Sequence, residues 1–127
     1  MFPPDPAHPC VHSSLHFLSH GRPVYVATPY GQWAARGCAG DAYHAAVHWQ
    51  TFIAASGYTG VSPIVMGHPM TGLEAWGHDD WMNWCFPLLD VCGSVFIPNV
   101  AGRWDSRGIA AEVERALMYS KPVVVWD

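Results

Sequence analysis

The sequence predicts a three-layer α/β protein, with a mainly parallel sheet of about four strands in the order 2-1-3-4 and helices on both faces. Three observations predict it. Strand-like apolar runs at 24–26, 58–64, 95–98 and 123–126 alternate with stretches whose apolar residues recur at helical spacing. That alternation requires crossover connections, which are right-handed and lay helices against a parallel sheet. Neither GxGxxG nor GxxxxGK[ST] occurs, so the dinucleotide and P-loop variants of such a sheet fall away. What remains is a Rossmann-like, trimmed flavodoxin-like layout, in which strands 1 and 3 straddle the switch point where ligands bind.

Residues 1–21 form a Pro/His-rich N-terminal extension. Pro3, Pro4, Pro6 and Pro9 oppose a helix, although His8, His12, His16 and His20 recur at a spacing of four. A loosely ordered segment on which little of the core depends is expected there. The domain proper spans 22–127. Its first strand, around Val24, Tyr25 and Val26, runs into Thr28, Pro29 and Tyr30. Residues 31–40 are rich in Gly and Ala, and a helix over 41–56 follows with Asp41 as its N-cap. His44 and His48 stand at i and i+4, but no third ligand lies nearby in sequence, so neither a metal nor any other cofactor is assigned. The second strand is truncated by Pro63, and 65–78 reads as a Gly-rich binding loop carrying His68 and Trp76. A helix over 81–91, capped by Asp79 or Asp80, buries Trp81, Trp84, Cys85, Leu88 and Leu89, and Pro87 is expected to kink or shorten it. The third strand ends at Asn99.

The last quarter of the chain organises the rest. Ser106 is a good N-cap, and Gly108 permits close approach to the first helical turn. Ile109, Val113, Ala116 and Leu117 form an amphipathic stripe. At about 100° per residue Glu114 points away from that stripe, while Glu112 lies on its flank, where a carboxylate can look into a cleft. Lys121-Pro122 closes the helix ahead of the final strand.

Composition limits the function classes. At 127 residues, with half of them hydrophobic and 13% charged, the chain is one ordered domain. A net charge of −4 with six scattered Lys and Arg argues against a nucleic-acid polymer as partner. No apolar run approaches the roughly 20 residues of a membrane span, and the N-terminus lacks the basic-then-apolar order of a signal peptide. Cys10, Cys38, Cys85 and Cys92 show no CxxC spacing, which fits reduced thiols and makes the cytoplasm the expected compartment. Seven Trp with so few charges predict that the chain self-associates, as a homo-oligomer.

The pattern Gly102-x-Trp104-x-Ser106-x-Gly108, followed by Glu112, Ala116 and Lys121-Pro122, resembles the C-terminal half of the nucleoside 2-deoxyribosyltransferase-like superfamily. In particular it resembles its DUF1937/DUF4406-type branch. Ser62-Pro63-Ile64 with His68 is similar to a turn of that branch, and Thr28-Pro29-Tyr30 to the strand tip that floors the nucleoside site. The resemblance reaches back to Pro23. It implies that Glu112 is a nucleophile. The chain departs from the pattern at Cys85 and Gly93, where the superfamily usually carries acids.

Cleaving an N-glycosidic bond passes through an oxocarbenium-like sugar, which a carboxylate can stabilise or trap as a glycosyl ester. Glu112 fits that role. A second group must protonate or polarise the departing base. Asp105, in the loop leading to the same helix, is the first choice, with Asp90 and His68 behind it. Tyr25, Tyr30 and Trp104 are candidates for stacking on a base, and Arg107 beside the helix N-terminus for meeting a phosphate. Thr28, Pro29, Asn99, Ser106 and Gly108 complete the expected substrate-binding set. Two functions follow: hydrolysis or transfer at the N-glycosidic bond of a nucleoside or nucleotide, or non-catalytic binding and sensing of a nucleotide derivative on the same fold.

Overall fold

The computed structural model describes residues 3–127, so the first two positions of the N-terminal extension lie outside the described residues. Five strands form one all-parallel sheet: β1 (Val11–His12), β2 (Val24–Val26), β3 (Gly60–Val61), β4 (Ser94–Ile97) and β5 (Val123–Val125), in the order β1-β5-β4-β2-β3. The four expected strands take the expected order, since β3-β2-β4-β5 is 2-1-3-4 in the numbering of the sequence reading. The fifth strand, β1, extends the sheet beyond β5. At the centre Val24 pairs with Ser94, Tyr25 with Val95 and Val26 with Phe96. The pairing continues one step further, where Ala27 N–H donates to the Phe96 carbonyl at 2.9 Å.

The two-residue period of each strand divides the core into two layers. Tyr25, Ala27, Val95, Ile97 and Val123 face α4 (His78–Val91) and α5 (Arg107–Met118), meeting Leu89, Ile109, Val113 and Ala116. Val24, Val26, Phe96 and Val124 face the opposite way, against Ile53, Trp49 and Phe52 of α2 (Ala39–Ala55). Two short helices, α1 (Gly31–Ala35) and α3 (Pro63–Gly67), pack on α2. Among the described residues no helix is long and apolar enough to cross a membrane, and all four cysteines are free thiols.

Local chemistry explains where the elements begin and end. The Ser106 hydroxyl accepts the Ile109 N–H at 3.2 Å, which caps α5 as its sequence predicts. Ser62 does the same for Val65 at 3.2 Å, with Pro63 in the first turn, so helix α3 replaces the end of the expected second strand. Helix α4 starts at His78 because the Asp80 carboxylate reaches back to accept the Gly77 N–H at 2.9 Å. It runs on past Pro87 to Val91, with that proline on the exposed side. At its far end the Lys121 ammonium donates to the carbonyls of Leu89, Asp90 and Cys92, satisfying a helix C-terminus from a distant part of the chain. Helix α2 begins at Ala39, two residues before Asp41, which lies in its first turn rather than at the cap.

The N-terminal segment corrects the expectation of a loosely ordered extension. Val11 and His12 pair with Val123 and Val124, and Leu18 is buried at 4% exposure within the α2-side core. The Ser19 N–H donates to the Ser94 hydroxyl at 3.0 Å, and the Tyr58 hydroxyl donates to the Leu15 carbonyl at 2.8 Å. His12 stacks on Phe17 and His20 on Tyr58, so these two rings serve packing. Proline and histidine density hid a three-residue apolar anchor: Val11, Leu15 and Leu18 recur at i, i+4 and i+7, yet the chain carries them on a strand, a 3₁₀ turn and the residue that ends it rather than on one α-helix. Deleting residues 1–19 should therefore lower the thermal midpoint substantially. Leu18→Ala alone should cost about 2–5 kcal/mol in denaturant unfolding; an unchanged midpoint in both variants would show that the segment contributes nothing.

Candidate active site

A cavity of about 700 Å³ opens at the carboxyl ends of β2, β3 and β4, on the side of an open α/β sheet where ligands bind. Its floor is the tip of β2, with Thr28 and Tyr30. One wall is α3 with the loop after it, and another is the first half of α4; the turn into α5 supplies Asp105, Ser106, Arg107, Gly108 and Glu112. The lining is mainly apolar. Trp76, Trp81 and Trp84 form an edge-to-face array, with ring centroids 4.8 Å and 5.8 Å apart in successive pairs. Gly67 lets this array sit close, since a Cβ there would lie 3.2 Å from the Trp81 ring.

Glu112 is 5% exposed and lines the cavity. Burial removes hydration from the charged form and pushes its pKa up to about 8, against an opposing pull from the Tyr25 hydroxyl. Tyr25 is itself fully buried, and its hydroxyl lies against both the Glu112 carboxyl and the Cys85 thiol. It reaches neither with full hydrogen-bond geometry and has no partner among the described residues. Burial, and after it the charge of Glu112, pushes the Cys85 thiol up to about 12. The Thr28 hydroxyl is likewise buried without a protein partner. Orphaned polar atoms are rare in protein interiors; here one belongs to a cavity-lining residue and the other lies against Glu112.

A second constellation faces the same cavity from the other helical layer. The Tyr30 hydroxyl and His68 Nδ1 are 2.9 Å apart, and the His68 ring stacks on Tyr43 of α2 at 4.6 Å between centroids. The loop preceding α5 is held by α1. Gln32 Nε2 donates to the Gly102 carbonyl at 2.8 Å, and Trp33 Nε1 donates to the Ala101 carbonyl at 3.3 Å. Gly102 has φ +81°, so the backbone favours glycine there, and a Cβ would come within 2.3 Å of Gln32 Nε2 and displace the end of that side chain.

Of the residues read from sequence, Glu112, Asp105, Thr28, Tyr30, His68, Ser106, Arg107 and Gly108 all line the cavity. Four expected ones do not. Tyr25, a candidate for stacking on a base, is fully buried in β2 and is not a lining residue. Pro29 is fully buried beneath the strand tip, and Asn99 is exposed elsewhere. Trp104 packs against the core with the Arg103 guanidinium 4.6 Å above its ring. Asp90 also lies apart, gripped by Arg115 through two bonds of 2.7 Å, which hold its carboxyl below the usual range. His44 and His48 are exposed on α2, and among the described residues no group of three or more His, Cys, Asp or Glu gathers to hold a metal.

Sequence reasoning missed the tryptophan wall and the contact of Tyr25 and Cys85 with Glu112. Trp81 and Trp84 looked like core because cavity lining and core share one apolar signal. The departures at Cys85 and Gly93 now separate. Cys85 is at the site, beside Glu112. Gly93 precedes β4 at the opposite end of the sheet, where a Cβ would be 2.6 Å from the Ser19 Cβ, so an acid there would not face the cavity.

The buried acid makes stability depend on pH. Glu112 holds its proton up to about 8 in the folded chain, whereas an unfolded glutamate releases it near ~4.3. Between those values the unfolded state binds fewer protons, so stability falls as pH rises, with the full loss reached above pH 8. Glu112→Gln should remove that slope and be more stable than the parent at pH 8.5 by roughly a few kcal/mol. Chemical denaturation at pH 5 and 8.5 measures it, and parallel pH dependences in the two proteins would refute the assignment.

No curated protein matches the chain. A family model described as "Domain of unknown function (DUF1937)" matches residues 22–127, a span that holds every cavity residue, and the chain belongs to that family.

Proposed function

We propose that the protein hydrolyses or transfers the N-glycosidic bond of a nucleoside or nucleotide, with Glu112 as nucleophile, in the manner of the nucleoside 2-deoxyribosyltransferase-like superfamily. The observation that carries this reading is Glu112 itself: a buried carboxyl lining an aromatic-walled cavity at the sheet's switch point. Its charge is costly in so apolar a cavity and best matched by a cation forming in front of it. An oxocarbenium-like sugar supplies that cation only as the bond to the base breaks, so the stabilisation falls on the transition state rather than the ground state. The tryptophan wall offers a planar base a stacking surface. Asp105 stands exposed at the cavity's edge, where the acceptor, water or a second base, would enter. Arg107, also exposed there, is the cation for a 5′-phosphate.

One observation favours a second reading, a non-catalytic module that binds or senses a nucleotide derivative. The thiol beside Glu112 is Cys85, pushed up to about 12, and it supplies neither charge nor proton at neutral pH. A screen of nucleosides and nucleoside monophosphates, followed by chromatography of released base, separates the two. Under the enzymatic reading kcat/KM on a nucleoside whose base departs without protonation rises with pH through about 8 as Glu112 ionises. Glu112→Ala then releases no base although its thermal midpoint is not lowered. Full activity in that variant refutes the nucleophile; no release by the parent protein, with binding retained, selects the module.

Self-association belongs to the same reading. Val91, Met118 and Tyr119 are 58%, 66% and 55% exposed where α4 and α5 end, an apolar surface that a second copy would cover. Light scattering at micromolar concentration should show a species larger than 14.0 kDa; a monomer alone would exclude it.

A further inference from the structure

We propose that His68, held by Tyr30, is the group that protonates the departing base, a role the sequence alone gave first to Asp105. The inference rests on the N-glycosidic reading above and assigns the other half of its chemistry.

Glu112 and His68 come from different layers of the molecule. Glu112 projects from α5, which packs on the Tyr25 side of the sheet. His68 ends α3, which packs on α2 across the sheet, and its ring stacks on Tyr43 of α2. Both side chains line one cavity over the end of β2. A nucleoside lying across that strand end has its sugar above Glu112 and its base toward His68. Nucleophile and acid then flank the scissile bond, as a displacement with acid assistance requires.

The imidazole is fixed for this task. Nδ1 is engaged by the Tyr30 hydroxyl at 2.9 Å, one ring face is covered by Tyr43 at 4.6 Å, and Nε2 makes no hydrogen bond among the described residues. Tyr30 is therefore a positioning residue that leaves Nε2 as the nitrogen available to substrate. Asp105 has no such support: it is exposed, and its carboxylate accepts no side-chain hydrogen bond among the described residues.

The step balances as follows. The Glu112 carboxylate forms a C–O bond to the anomeric carbon as the C–N bond breaks. The C–N electron pair leaves on the base nitrogen, and the proton on His68 Nε2 goes to the base. Nδ1–H of the imidazolium donates meanwhile to the Tyr30 oxygen. Water, or a second base in transfer, then attacks the glycosyl ester, and its proton returns to Nε2. No oxidant, metal or further reactant enters.

The test compares two leaving groups from the same sugar. One is a natural nucleoside; the other carries a base that departs without protonation, an N7-methylated purine or a 5-nitropyrimidine. His68→Gln should lower kcat on the natural nucleoside by roughly 10²- to 10⁴-fold and on the activated one by less than about tenfold, with KM changed little. Tyr30→Phe should show the same dependence on leaving group at smaller amplitude. Thermal melts of both variants confirm that the fold is kept. Equal losses on the two substrates, or no loss on the natural one, overturn the role of His68 while leaving the N-glycosidic reading intact. Failure of the parent protein to release base from either substrate overturns that reading and the role of His68 with it.

Discussion

The parallel pairing of β2 with β4 is the constraint on which the rest of this structure depends. Both strands are fully buried, and their register places the Thr28–Tyr30 tip beside the turn that opens α5. On one side of this pair the chain winds outward through α2 to β3, on the other through α5 to β5. The crossovers diverge, leaving a crevice above the strand ends that no helix fills. Residues separated by more than eighty positions, Thr28 and Glu112, share one wall for that reason alone.

Within the crevice the molecule places an acid where an acid is unfavourable. Glu112 continues the buried stripe of α5, next to Ile109, Val113 and Ala116. An apolar residue would fit the stripe without burying a carboxyl. The carboxyl instead keeps its proton up to about 8, beside a tyrosine hydroxyl without a partner. Strain of this kind persists where the surroundings over-determine it. Here the surroundings are the Ser106 cap, the α1 clamp on Gly102 and the tryptophan array, each fixing a different part of the cavity. The same low polarity that raises the pKa would strengthen the attraction between the ionised carboxylate and any cation that enters the cavity.

The opposite end of the sheet is closed by different means. The segment before β2 adds a strand beside β5 and drives Leu18 into the core. Ser19 meets Gly93 so closely that any side chain there would displace it. Lys121 joins the end of α4 to the start of β5 through three carbonyls. Packing thus closes the amino ends of the strands, while the cavity opens at the carboxyl ends, as the crossover topology allows.

The sequence by itself determined the layers, the order of the four strands from β3 to β5, the Ser106 cap and the amphipathic face of α5. The cap and the face follow from local periodicity and short-range hydrogen bonding, which are properties of neighbouring residues, and the layers and strand order from the general rule for strand–helix–strand crossovers. Spacing also put Glu112 on the flank of an apolar stripe, but only the resemblance of the residues around it singled that carboxylate out. Tertiary structure decided how deeply that carboxylate is buried and what surrounds it. Tyr25 looked like a strand core residue and Cys85 like a helix core residue; only the packing of α4 and α5 on β2 brings them to Glu112. Packing also turned Trp81 and Trp84 from core into cavity wall, moved Asn99 and Trp104 out of the site, and docked a proline-rich extension as a strand. These are contacts between distant residues, and no period or composition along the chain encodes which apolar face meets which.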